Sequence, residues 1–264
     1  MLCSLENRSL IKISGEDSEN FLQSQFSNDV TKIQDKQIQI NAYCQHQGKI
    51  IAIVWVFKKN NNFYLSILSE LKAVVLAKLN MFKLMSRVQI DDYSNKVYQY
   101  GLIGEIHDKS IRINDFLSIL TTSKLISSVE SNSKWDLACI DNMLPEVYLK
   151  MSEKLTPQVV NLDINQFGLS LTKGCYPGQE VVARMHYLGH PKRRLFHFIT
   201  ECHVAIGDTL EVKDSQSLKS SGQVIQIAKK DNKSQFLATF ELKYTNEKIF
   251  LNGDENKPVT ILHG

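Results

Sequence analysis

The sequence predicts an α+β protein of more than one domain, and three observations carry that reading. The chain has 264 residues, enough to bury two or three separate cores. Before about residue 190, strand-length alternation is mixed with helix-spaced apolar stripes. Beyond Pro191 the character changes: apolar or alternating runs recur at "RRLFHFIT", "DTLEV", "GQVIQIAK", "SQFLATF" and "KPVTIL", split by Gly, Asp, Asn and Lys turns. That last pattern predicts a small all-β terminal domain, a short barrel.

The elements follow in order. "SLIKIS" reads as a strand and Gly15–Asp17 as a turn; Glu19 to Val30 carries Phe21, Leu22, Gln25 and Phe26 at helical spacing. "KQIQINAYC" alternates as a strand. Gln47-Gly48 then breaks the chain before "IIAIVWVF", a buried strand from Ile50 to Phe57. A polar turn at Asn60–Asn62 leads to a strand over Phe63–Ile67, a helix from about Glu70 to Phe82, and strands at "RVQID" and "VYQYGLIGEI". These suggest a small α/β unit between Phe63 and Ile106. "NDFLSIL" reads as a short helix, and "WDLACIDNMLPEV" as a helix or turn ended by Pro145.

Composition excludes several classes. Hydrophobic residues are 43% and charged residues 22%, an ordinary globular balance. A formal charge of +3 is no polyanion-binding signature; the basic residues that cluster are Lys192, Arg193 and Arg194, with Arg184 and Lys173 before them. A solvated loop explains that run equally well. Five scattered cysteines include no CxxC pair, which argues against a disulfide framework or a structural metal site and suits a reducing cytoplasm. "MLCSLENRSL" is not a secretion signal, and the longest apolar run is too short to cross a bilayer, so no membrane role is expected. P-loop, Rossmann, HExxH and GxSxG motifs are missing, and Asp91-Asp92 reads as a solvated turn.

The informative stretch is "LTKGCYPGQEVVARMHYLGHPKRR", Leu171 to Arg194. Gly174, Pro177 and Gly178 around Cys175 and Tyr176 predict a defined bend, and "QEVVARM" after it predicts a helix with Glu180 in its first turn. Lys173 and a helix N-terminus would each favour a thiolate at Cys175. The plain alternative is a small buried side chain in a tight turn. His186, His190 and His197 offer no base that the sequence can place against the sulfur, and Glu180 with Arg184 would equally be a surface ion pair.

"KGCYPGQEVVAR" resembles the signature of the YgfZ family, folate-binding proteins linked to iron–sulfur enzyme maintenance and tRNA modification and related to the glycine-cleavage aminomethyltransferase. "GEDSENFLQSQFSNDV", "AYCQHQGKI", "WDLACI", "TPQVVNLD" and "YLGHPKRRL" resemble further family segments in the expected order, so the likeness covers most of residues 9–195. It implies a three-domain, disc-like aminomethyltransferase/YgfZ-type fold. Its parts would be a discontinuous folate-binding domain (1–60 with 107–190), a ferredoxin-like α/β unit (61–106) and a C-terminal β-barrel (191–264). It further implies tetrahydrofolate or a derivative as cofactor. Cys175 and Lys173 would be the reactive pair, and Asn28, Asp29, Tyr176, Gln179, Glu180 and Arg184 the cofactor-binding residues.

The implied role is a cytoplasmic accessory protein whose partners are folate and iron–sulfur client enzymes, with a weak tRNA contact. The alternatives are direct action on tRNA through Arg184 and Lys192–Arg194, or a folate-dependent one-carbon transferase. The transferase reading is disfavoured, because the aspartate pair of the aminomethyltransferases is replaced here by Ala52-Ile53. A second departure is Asn142-Met143, where the family usually has a glycine before Leu-Pro.

Overall fold

A computed structural model describes residues 1–84, 86–104, 106–213 and 220–264. Its elements run β1 (Leu2–Ser4), β2 (Arg8–Ser14), α1 (Ser18–Gln23), β3 (Gln39–Cys44), β4 (Ile50–Lys59), β5 (Asn62–Leu68), α2 (Lys72–Phe82) and β6 (Gln89–Asp92). Then come β7 (Tyr98–Ile103), β8 (Ile111–Arg112), β9 (Leu117–Thr122), α3 (Asn132–Asp141) and α4 (Gln179–Leu188). The barrel strands are β10 (Arg193–Thr200), β11 (Thr209–Val212), β12 (Gly222–Lys230), β13 (Lys233–Glu241), β14 (Ile249–Leu251) and β15 (Pro258–His263).

Two antiparallel sheets precede the barrel, one in the order β3-β4-β5-β2-β6 and one in the order β1-β7-β9-β8. β4 is the reason the first sheet sits inside the molecule. Ile50 to Phe57 are all buried, with Ile51, Val54 and Val56 packed toward α1 and α2, and Ile53, Trp55 and Phe57 packed toward the second core. A strand covered on both faces loses its polar alternation, as the sequence shows here. The barrel closes in the order β10-β13-β12-β11-β14-β15 around Phe198, Phe236 and Phe240, as its turn-separated strand runs predict. β14 is the barrel strand missing from that reading; it is only three residues long. Among the described residues, no helix is long and apolar enough to cross a membrane.

Three expectations are corrected. "NDFLSIL" is no helix: Leu117–Thr122 pairs along its whole length with β7, and buried Leu117 and Ile119 alternate inward, so tertiary pairing overrides a short apolar run. The helix expected over Glu19–Val30 stops at Gln23. Phe26 instead bridges Tyr43, while Asn28 and Asp29 turn their side chains back onto the amides of Asp29 and Thr31. The 61–106 unit is also redistributed. Asn60 and Asn61, both in the left-handed region, close a β4–β5 hairpin across its lower boundary. β5 and β6 flank β2 in the first sheet, whereas β7 joins the second. Residue 105 of the strand expected over "VYQYGLIGEI" lies outside the described residues.

Where both sheets meet α3 and β12, the junction is filled by Trp55, Trp135 and a buried ion pair between Arg8 and Glu146. The Arg8 guanidinium lies 3.6 Å from the Trp55 ring centroid and donates to the Ser66 hydroxyl and carbonyl, each at 2.9 Å. The Glu146 amide donates to Gln226 of β12 at 3.0 Å, tying the barrel to the sheets.

Candidate functional site: the Lys173–Gln179 bend

Lys173 organises the bend. Its side chain is buried, and the ammonium donates to the carbonyls of Gln23, Phe26 (2.5 Å) and Asn28 (3.2 Å). Three N–H donors meet three backbone acceptors, so the chain around residue 173 is fastened to the turn after α1. Burial pulls the ammonium down to about 8, opposed by the Asp29 carboxylate, so it still carries its proton at pH 7. The ammonium also lies 5.2 Å from the Tyr176 ring centroid. It points inward, and its donors are committed to the backbone rather than to the neighbouring thiol.

Gly178 fixes the other end. Its φ is +83°, and a Cβ there would stand 2.5 Å from the Gln45 carbonyl oxygen and 2.6 Å from Gly48 Cα. Only glycine permits both the conformation and that approach. The helix α4 starts at the next residue, and Gln158, itself buried, donates from Nε2 to the Val182 carbonyl at 2.7 Å to hold it. Tyr176 packs with Leu169 and Val182, and burial pushes its phenol up.

Between these anchors Cys175 is exposed. Cys3, Cys44 and Cys139 are buried, and burial raises all three, Cys44 to about 12. Cys175 stands ahead of α4 rather than within its first turn. Glu180 and Arg184 are both exposed and form no ion pair with each other. Gln179 is half-buried. His186 is exposed and rests edge-on against Tyr187, whereas His197 is buried on the outer face of β10, opposite Phe196 and Phe198, with its Nε2 on Gln235 at 2.8 Å.

Asn28 and Asp29 form the underside of the site. The Asn28 amide nitrogen donates to the Ile40 carbonyl at 3.1 Å, and its backbone amide donates to Asn41 Oδ1 at 3.0 Å. The Thr31 hydroxyl, donating at 2.6 Å, together with the Gln23 amide, holds the Asp29 carboxyl below its usual range. In front of them lies a cavity of about 220 Å³ walled by Ile33, Ile38, Ile40, Ile113 and Phe167, with the amides of Gln34, Gln37 and Gln39. Gln39 connects the two, because its amide donates to the Asp29 carbonyl at 2.7 Å.

The basic run is divided. Arg194 donates to the Gln158 carbonyl at 2.7 Å and pairs with Asp163 at 2.5 Å, and Arg193 pairs with Glu241 at 3.2 Å. Lys192 alone of the three is exposed. Ala52 and Ile53 are buried in β4, so the position of the aminomethyltransferase carboxylates is apolar and closed.

No protein-family model matches the chain. A Haemophilus influenzae protein described as uncharacterized is 31% identical over 231 residues, covering 84% of this chain and 82% of that one. The tRNA-modifying protein YgfZ of Colwellia psychrerythraea is 30% identical over 264 residues, covering 85% of this chain and 80% of its own. This chain belongs to the YgfZ family. A YgfZ from Hamiltonella defensa, 26% identical, extends the match to 98% of this chain and 89% of that protein. The fold is that of the glycine cleavage system aminomethyltransferase T from Bartonella henselae. The TM-score is 0.71 over all of this chain and 84% of that one, at 12% identity.

Membership in the YgfZ family places the bend in context. The residues that sequence reasoning missed are Gln158, Gln23 and the Gln45–Gly48 turn, each of which holds the bend from a distant segment. Gln47-Gly48 was visible as a turn signal, but its contact with Gly178 was not. Nothing in the local pattern marks Gln158 or Gln23.

Proposed function

We propose that this protein is a folate-binding accessory protein that supports iron–sulfur enzymes in the cytoplasm and, through them, tRNA modification. Cys175 is the group presented to the client. The observation that carries this reading is a physical link: Lys173 ties the thiol-bearing bend to the carbonyl of Asn28, and Asn28 backs the cavity beside Ile40 and Phe167.

That cavity fits a folate ring. It has an apolar wall and three glutamine amides for the ring edge, and its volume of about 220 Å³ suits a bicyclic heterocycle rather than a whole folate. Gln34, Gln37 and Gln39 would hold the ring, with Asn28 and Asp29 setting the wall behind them. Bound folate would supply one-carbon or hydride chemistry. The chain itself positions the ring, keeps the Asp29 carboxylate ionised behind it, and holds an exposed thiol on a fixed support. Lys173 and Tyr176 serve as that support. Gln179, Glu180 and Arg184 remain available at its surface.

Two observations weigh against the alternatives. Buried Ala52 and Ile53 leave no carboxylate at the position where the aminomethyltransferases carry their aspartate pair. Arg193 and Arg194 are engaged in internal ion pairs, which leaves a poor phosphate footprint for direct action on tRNA.

The test uses a bacterial strain lacking its own YgfZ and measures methylthiolated tRNA after expression of this chain. Restoration by the native chain, absent with Cys175→Ser at equal protein level, is expected. Full restoration by Cys175→Ser would reduce the thiol to a structural part. Calorimetric titration with 5-formyltetrahydrofolate gives the second arm: no saturable heat would remove the folate from the proposal.

A further inference from the structure

We infer that a lysine-rimmed cleft beyond the ring cavity takes a row of carboxylates, so that the ligand of this protein is an oligo-γ-glutamyl folate. This rests on the folate reading above and specifies the form of the ligand.

The cleft has a volume of about 660 Å³ and draws lysines from four separate segments: Lys36, the β4 end at Lys58 and Lys59, Lys109, and Lys124 after β9. Among the described residues, two aspartates, Asp35 and Asp108, line it with them. Glu19 neutralises Lys58 at 2.6 Å, and Lys59 donates to the Thr121 hydroxyl at 3.2 Å. The ammonium groups of Lys36, Lys109 and Lys124 have no ion-pair or hydrogen-bond partner among the described residues. Like charges gathered in one concavity repel one another and focus a positive field into it, and a polyanion relieves that repulsion.

The floor says which polyanion. Ile111, Leu120 and Ile126 form an apolar base suited to the methylene arms of glutamate. Among the described residues no aromatic ring lines the cleft, so they offer no platform for stacking nucleic-acid bases.

The cleft is also continuous with the ring cavity. An intermediate hollow of about 350 Å³ shares Gln34 and Gln37 with the ring cavity, and Asp35, Lys36, Asp108 and Ser110 with the lysine cleft. The three adjoin around the loop 34–37, in the order ring-sized pocket, connecting hollow, cationic cleft. A folate conjugate has the same order of ring, linker and carboxylate chain.

The experiment is calorimetric titration with 5-formyltetrahydrofolate as the monoglutamate and as the triglutamate, using the native chain and a Lys109→Glu/Lys124→Glu double variant. Both lysines are exposed and unpaired, so the variant should unfold at the native temperature. At low salt the triglutamate should bind at least tenfold more tightly than the monoglutamate. That gain should shrink with added salt and vanish in the double variant, with monoglutamate affinity unchanged. Equal affinity for the two ligands would overturn the cleft assignment and leave the folate reading standing. Binding of neither would overturn both. A gain that survives in the double variant places the tail elsewhere and overturns the assignment. Displacement of the triglutamate by equimolar oligouridylate would overturn it in favour of RNA.

Discussion

Replacing Lys173 by methionine tests whether the bend is a support or a reactive pair. Methionine keeps the length and the apolar stem while removing all three donors, so the carbonyls of Gln23, Phe26 and Asn28 lose the ammonium that holds them together. A buried acceptor left unsatisfied costs about 1–3 kcal/mol. At the low end, three of them give a loss of about 3 kcal/mol, which a domain of ordinary stability survives. Urea unfolding followed by tryptophan fluorescence measures it, since Trp55 and Trp135 are buried in the core that meets the barrel. Hydrogen exchange should accelerate at residues 23–28 before it does so elsewhere. Lys173→Arg should recover less than half of the loss, because a planar guanidinium cannot aim three donors at carbonyls that converge on one nitrogen. A loss below about 0.5 kcal/mol with unchanged protection at residues 23–28 would refute the support argument and return Lys173 to the role of a free cation near Cys175.

Three further outcomes follow from the same geometry. Burial, reinforced by the Glu146 charge and opposed by Arg8, pushes Asp136 up to about 7 from 3.8, so this group's contribution to stability is lost as pH rises between those values. Asp136→Asn removes that slope. The ceiling is about 4 kcal/mol, and partial exposure of the carboxylate brings the expected gain to about 2 kcal/mol at pH 8, with none at pH 4; equal gains at both pH values would contradict it. In the folded protein, maleimide should label Cys175 fastest and half-buried Cys202 more slowly, while buried Cys3, Cys44 and Cys139 react only after denaturation; rapid labelling of Cys44 would show that β3 opens. Gly178→Ala should destabilise by about 2–4 kcal/mol, from the left-handed φ and the collision with the Gln45–Gly48 turn; a native-like thermal midpoint would show that the turn yields freely.

The signature, the barrel and most strands were legible in the sequence because each is a local property. Alternation, turn residues and glycine spacing act within a few positions of one another, and "KGCYPGQEVVAR" is long enough to mark the family alone. The buried face of β4 was equally plain, since eight consecutive apolar residues have no other stable place.

Tertiary structure decided the rest, because the partners are distant in the chain. "NDFLSIL" became a strand when β7 offered a pairing edge. The strands of residues 61–106 were divided between two sheets by their partners, not by their own pattern. Lys173 read as an activator two residues from a thiol, yet three carbonyls from 145 to 150 positions away turned it into an anchor. Arg193 and Arg194 read as part of a basic surface until Glu241 and Asp163 engaged them. In each case the sequence specified which groups carry charge or donors. The fold specified where those groups are spent, because a buried polar group takes the nearest partner in space, whatever its place in the chain.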